Sequence, residues 1–216
     1  MLHESLKDKI TRAKKIVKAL KKTYPDAECS LNFGNIHQLM VATILSAQCT
    51  DERVNIVTKD LFKKYTSVKD FAEVDVKQLE TDIHSTGFYK NKAKSIKKSA
   101  QQLLKHHNGS IPKTLDELVK LTGVGRKTGS VVLGAGYGLS EGIVVDTHVI
   151  RISNLLKLTN HKDAVKIEKE LIKILSKKDW IIFTHLLIDH GRAVCIARRP
   201  DCANCTLKNL CPSAKS

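Results

Sequence analysis

Aromatic side chains are scarce in this chain of 216 residues, making up 5%, and only one is Trp. Proline is scarcer still, with four against 11 glycines, and no low-complexity tract occurs. These shortages exclude a collagen-like repeat and a long flexible linker. Long apolar runs are missing too. The longest, Ala193–Ala197, has five residues, against the roughly 20 that a membrane-spanning helix needs. The opening residues, Met1-Leu2-His3-Glu4-Ser5, hold no apolar stretch of signal-peptide type. The chain is therefore expected to stay in the cytoplasm, with no membrane partner. Acidic residues are outnumbered, since 22 Asp and Glu face 37 Lys and Arg for a formal net charge of +15. A small-molecule enzyme does not need such an excess. A surface that releases counterions on meeting a polyphosphate does, which points to nucleic acid. The plainer reading is a solvated basic surface.

What the sequence does contain is helical periodicity. Leu6, Ile10, Ala13, Val17 and Leu20 fall on one face of an amphipathic helix that Tyr24-Pro25-Asp26 ends. Similar patterns recur at 37–47, 51–65, 76–83, 91–106, 114–121, 126–134, 147–158, 161–175 and 179–192. Ile143–Val145 is the only strand-like run, and it is too short to pair into a sheet alone. The expected fold class is all-α, with no solenoid repeat. At 42% hydrophobic and 27% charged residues, the chain suits one large globular domain or two small ones.

Three local patterns carry chemistry. The first is Leu121-Thr122-Gly123-Val124-Gly125-Arg126-Lys127-Thr128. Two glycines one residue apart between helical patterns predict a hairpin with unusual backbone angles, followed by a helix whose free amides suit an anion. The spacing is neither a Walker loop nor a dinucleotide fingerprint. Lys127, on the first helical turn, is where an amine could serve as a nucleophile. The second is Val144-Val145-Asp146-Thr147-His148-Val149. Asp146 by itself reads as the N-cap of a helix and His148 as a structural histidine. With Lys127, Asp146 becomes a carboxylate able to assist an amine or balance a sugar cation. The third is Cys195-x6-Cys202-x2-Cys205-x5-Cys211. In a reducing compartment such a group is a metal site rather than a disulfide framework. Zinc and a [4Fe–4S] cluster are both open on spacing alone. Arg198 and Arg199, between the first two cysteines, look like phosphate contacts. Cys29 and Cys49 read as small buried hydrophobes.

In order along the chain, Leu45-Ser46-Ala47-Gln48-Cys49-Thr50-Asp51, Gly87-Phe88-Tyr89, the hairpin with Lys127, and Val145-Asp146-Thr147-His148 resemble the endonuclease III family. Its members are bifunctional DNA glycosylases and abasic-site lyases of the helix-hairpin-helix superfamily, and the likeness runs from about residue 5 to residue 212. The cysteine spacing matches the family's iron–sulfur ligands, so the resemblance implies one [4Fe–4S] cluster per chain on Cys195, Cys202, Cys205 and Cys211. It implies two helical domains flanking a DNA-binding cleft. Residues 29–140 would be a six-helix barrel carrying the hairpin, and residues 1–28 with 141–216 would hold the cluster.

The implied activity is base excision repair by a monomer acting at the nucleoid. It removes oxidised or damaged pyrimidines such as thymine glycol from double-stranded DNA, then nicks 3′ to the abasic site by β-elimination through a lysine Schiff base. By resemblance Lys127 is the nucleophile and Asp146 its partner. Gln48 fills the gap left by the extruded nucleotide, and Phe88 is a wedge where bacterial relatives often have Leu. Gly123, Val124, Gly125, Arg126 and Thr128 of the hairpin, with Arg198 and Arg199, contact DNA. Three positions depart from the family pattern: Thr122 where Pro is usual, Gly129 where Ala is common, and Asp189 where an apolar residue is expected, which is read as pairing locally with Arg192. Two rivals are mismatch glycosylases of the same superfamily, one for adenine and one for thymine or uracil, and both usually lack the lysine. A third is a zinc-stapled DNA-binding module without catalysis.

Overall fold

The computed structural model describes residues 4–215. All regular structure among them is helical. In chain order the helices are α1 Leu6–Thr23, α2 Ile36–Leu45, α3 Asp51–Lys64, α4 Val68–Glu73, α5 Val76–Asp82 and α6 Tyr89–His107. They continue as α7 Leu115–Leu118, α8 Arg126–Val131, α9 Thr147–Leu155, α10 Ala164–Ile174 and α11 Trp180–Ala193. Ile143–Val145 is extended coil, not a strand. None of the helices is long and apolar enough to cross a membrane.

The chain divides into two compact units, one of Cys29–Leu139 and one made by the described parts of Met1–Glu28 and Ser140–Ser216. In the first unit α2 is the centre. Its sequence is apolar nearly all round, and every residue from Leu39 to Leu45 is buried. A helix of that kind is stable only when covered on all sides. It is covered in a core with Phe71, Leu79, Ile96, Leu103, Leu118 and Val132. The side chains of Asn35, Thr50, Asp75 and Thr114 cap their helices by accepting from backbone amides. Helix α4 was not visible as a periodic pattern because it has one turn and a half. Its signal is the capping box, in which the Ser67 hydroxyl accepts from Asp70 N and the Asp70 carboxylate accepts from Ser67 N. Helix α8 runs on into a π-helical stretch, Val132–Gly136.

In the second unit α1 packs with α9, α10 and α11 around Ile16, Leu20, Ile152, Leu171, Phe183 and Leu187. Arg12 binds this unit together. Its Nη1 donates to Leu156 O at 2.6 Å and Leu210 O at 3.3 Å, while Glu4 holds the other side of the guanidinium. Helices α9 and α11 meet at Gly191. A Cβ there would stand 2.4 Å from His148 Nδ1, so only glycine lets the imidazole lie against the α11 backbone.

One buried polar group makes the first unit sensitive to acid. His37 is 8% exposed, its ring lies edge-on to Phe71 at 5.3 Å, and its Nε2 has no hydrogen-bond partner among the described residues. Burial pushes its pKa from 6.5 down to about 4. The unfolded chain therefore binds a proton that the folded one refuses, so stability is full above the unfolded value and is lost as pH falls from 6.5 towards 4. At pH 5 the loss from this one group is about 2 kcal/mol. Urea denaturation of wild type and His37→Leu at pH 7.5 and pH 5 measures it. Most of this pH difference in midpoint is expected to vanish in the variant.

Candidate active site

Each unit contributes its own set of side chains. In the Cys29–Leu139 unit, α6 acts as the frame. Gln102 Nε2 donates to Lys120 O at 3.3 Å and its Oε1 accepts from Thr122 N at 2.8 Å, so one amide holds the chain on its approach to the glycines. Thr122 is thereby explained. A proline has no N–H and would leave Gln102 without that bond. Gly123 takes φ +83°, and a Cβ on it would stand 2.5 Å from Ser95 Cβ, about two turns nearer the start of α6 than Gln102. Val124 is buried, anchoring the turn from below. What Val124 can offer DNA is its backbone.

Gly125 is different. It has φ −85° and ψ 175°, and a Cβ there meets nothing within 4 Å. Only one of the two glycines is therefore demanded by the fold. Gly125 leaves the N-terminus of α8 without a side-chain cap and open to close approach. Arg126 and Lys127 stand exposed on that first turn, with Thr128 half-buried beside them. Gly129 packs close to α7, where a Cβ would come within 2.8 Å of Leu115 Cδ1, the movable end of that side chain.

Gln48 and Phe88 share a feature that composition does not reveal. Gln48, exposed in the turn after α2, has φ +53°. Phe88, the residue before α6, has φ +48° and is 63% exposed. The left-handed region is uncommon for a non-glycine residue and strained for a bulky one. An aromatic ring held out in water adds a second cost. Asn108 and Lys157 also take a positive φ, and of the four Phe88 is the one that exposes an aromatic ring. Lys92, which the motif reading passed over, lies between the turns of Gln48 and Phe88. It is 4% exposed, and its Nζ donates to Leu45 O and to Thr86 O, each at 2.8 Å. Cys29 and Cys49 are half-buried rather than buried, packed against this unit's core.

In the other unit Asp146 is the N-cap of α9, its Oδ1 accepting from Val149 N at 2.8 Å. The extended approach to it is fixed by Thr184 of α11, whose hydroxyl donates to Val144 O at 2.8 Å. His185, also on α11, has its pKa pushed down by burial against the pull of Asp189, Asp146 and Glu28. Burial raises the Asp189 pKa, with Arg192 and His185 opposing it. Asp189 thus answers to His185 as well as to Arg192.

The four cysteines line one cavity of about 570 Å³, its open mouth included, together with Ile152 and Leu207. Among the described residues, no three His, Cys, Asp or Glu side chains converge so as to hold one metal ion. Donors surround the sulfurs. Leu207 N donates to Cys205 Sγ at 3.4 Å and Arg151 Nη1 to Cys195 Sγ at 3.6 Å. His190 stands between the Tyr24 hydroxyl, 3.1 Å from Nδ1, and Cys205 Sγ, 3.6 Å from Nε2. Burial pushes the Cys205 and Cys211 thiols up, and the other cysteines of the group push the same way. A cation bound there would reverse that balance. Apolar walls, polar donors aimed at sulfur and four crowded thiols fit a thiolate-bound metal group. The loop from Cys195 to Asp201 is closed at its base by Asp201 N donating to Val194 O at 3.0 Å, and Arg198 and Arg199 stand exposed on it.

Comparison with known proteins places this arrangement. A profile described as "HhH-GPD superfamily base excision DNA repair protein" matches residues 41–177. The chain is 47% identical over 215 residues to "Endonuclease III" of Synechocystis sp., covering 100% of this chain and 98% of that one. It is 47% identical over 189 residues to "Endonuclease III" of Bacillus subtilis, covering 87% and 86%. Among solved structures it is similar to "Structure of a Trapped Endonuclease III-DNA Covalent Intermediate: Estranged-Adenine Complex", with TM-score 0.89, 42% identity and coverage of 95% and 96%.

The two hairpin glycines are expected to respond differently to an added methyl group. Gly123→Ala forces a left-handed alanine into Ser95 and is expected to cost about 2 kcal/mol or more. Gly125→Ala is expected to stay within about 0.5 kcal/mol of wild type, yet to bind duplex DNA more weakly. Urea denaturation and a DNA titration at fixed salt measure the two effects.

The hairpin with its exposed lysine, the strained turns beside α2 and α6, and full-length identity to these relatives agree, and the chain is a base excision DNA repair protein of the HhH-GPD superfamily, a member of the endonuclease III family.

Proposed function

We propose that this protein removes damaged pyrimidines such as thymine glycol from duplex DNA and then cleaves 3′ to the abasic site, acting as a monomer at the nucleoid. The observation that carries the reading is Lys127, an exposed amine on the first turn after a glycine hairpin. A relative 42% identical over nearly the whole chain has been trapped in a covalent complex with DNA. The net charge of +15 supplies the sequence-independent attraction to the phosphate backbone. The hairpin amides and Arg126 then hold phosphate, while Gln48 and Phe88 enter the stack as the damaged nucleotide turns out. Extrusion costs a few kcal/mol, least for a base that pairs poorly.

Lys127 Nζ attacks C1′ of the extruded sugar. The bond from C1′ to the base breaks, its electron pair leaves with the base, and the amine proton is lost. Asp146 assists by receiving that proton or balancing the charge on the sugar. Ring opening gives an imine whose conjugation makes the C2′ proton acidic. Removal of that proton expels the 3′ phosphate, and water releases Lys127 from the unsaturated aldehyde.

Cys195, Cys202, Cys205 and Cys211 would hold one [4Fe–4S] cluster. The spacing of the four thiols matches the family's iron–sulfur ligands, and they line one cavity together with Ile152 and Leu207. When bound, such a group acts as a structural staple, fixing the loop on which Arg198 and Arg199 meet phosphate.

Borohydride reduction during reaction with a thymine glycol duplex is expected to give a stable protein–DNA band with wild type and none with Lys127→Ala. Base release without any band would mean a glycosylase that lacks the lyase step. Iron and acid-labile sulfide are expected in equal amounts, near four per chain, and both are expected to fall together in Cys202→Ala. Zinc in their place would contradict the cluster.

A further inference from the structure

A buried ammonium is costly, and the core around Lys92 has no need of one. Its aliphatic stem fills space that a methionine would fill as well. Among the described residues no carboxylate pairs with it. Both of its partners are backbone carbonyls, and they belong to two different turns. Leu45 O is at the end of α2, three residues before Gln48. Thr86 O closes the short helical turn His84–Thr86, two residues before Phe88. Both 2.8 Å bonds come from one nitrogen. The spacing between the turns is therefore set by a single atom on the second turn of α6. The turns need setting, because each then places a non-glycine residue at positive φ. Phe88 keeps its place through α6 itself, whose Asn91 and Lys92 amides both donate to Phe88 O at 3.1 Å. Burial lowers the pKa of Lys92, opposed by Cys49, the neighbour of Gln48.

We propose that Lys92 is a positioning residue for opening the duplex: its ammonium ties the turn carrying Gln48 to the turn carrying Phe88, so that both side chains enter DNA from one rigid frame. The proposal rests on the reading above that Gln48 and Phe88 enter the stack. Lys92 touches neither the sugar nor the base and acts through these two residues.

The consequence is selective. Cleavage at an abasic site in single-stranded DNA needs Lys127 but has no gap to fill and no neighbouring pair to part. Lys92→Met is expected to slow single-turnover excision from duplex by about tenfold to a hundredfold, the loss that a small misplacement far from the chemistry produces. Borohydride trapping on a single-stranded abasic site is expected to stay within about twofold of wild type, which also shows the variant to be folded. In a Gln48→Ala/Phe88→Ala background, Lys92→Met is expected to add less than about twofold, because its route to DNA is already gone. Equal losses on both substrates, or full additivity with the double variant, would overturn the proposal in favour of a structural lysine. If Lys92→Met does not fold, Lys92→Gln, which keeps one donor, decides by the same ratio. If Gln48→Ala/Phe88→Ala itself leaves duplex excision unchanged, the reading of those two residues fails first, and that result is separate from any effect of Lys92.

Discussion

Backbone polar groups in a folded interior must find partners, and in the Cys29–Leu139 unit the turns of Gln48 and Phe88 and the approach to the hairpin find some of theirs on one helix. Lys92 takes two carbonyls from the turns of Gln48 and Phe88. Gln102 takes a carbonyl and an amide from the approach to the hairpin. Lys97 and Gln101 take Val74 O and Ala72 O at the end of α4. These are side chains of α6, and their spacing along one rigid rod is the spacing of the turns. Loops are ordinarily the mobile part of a protein. Here long polar side chains convert them into fixed points without sheet pairing.

Among the described residues four non-glycine residues take positive φ, namely Gln48, Phe88, Asn108 and Lys157. Gln48 and Phe88 sit in a backbone region that their side chains disfavour, and Phe88 also exposes its ring. Neither cost would persist unless the surroundings over-determined the geometry. The hairpin is built on the opposite plan. Gly123 relieves a contact with Ser95, and Gly125 simply leaves room. In the other unit the four half-buried cysteines line one cavity, and burial with their mutual repulsion pushes the Cys205 and Cys211 thiols up. Arg12 and the Tyr24–His190 pair fasten α1 to the same region.

Much of this was readable in the residues themselves. Helical periodicity found the long helices, and the family motifs singled out Lys127, Asp146 and the four cysteines. Helix α4 was missed because six residues are too few for a period, although Ser67 and Asp70 spell its cap. The departures at Thr122 and Gly129 were visible as departures only; the fold shows that Thr122 N donates to Gln102 and that Gly129 packs against Leu115. Lys92 was illegible for a different reason. In a helix carrying nine other lysines, histidines and glutamines, only the fold tells which cation points inward.

Everything in the account turns on one amine. Digestion of the borohydride-reduced protein–DNA complex, followed by mass spectrometry of the peptides, locates the adduct directly. The sugar remnant is expected on Lys127 alone. An adduct on the N-terminal amine or on another lysine would contradict it, whatever the yield of the reaction.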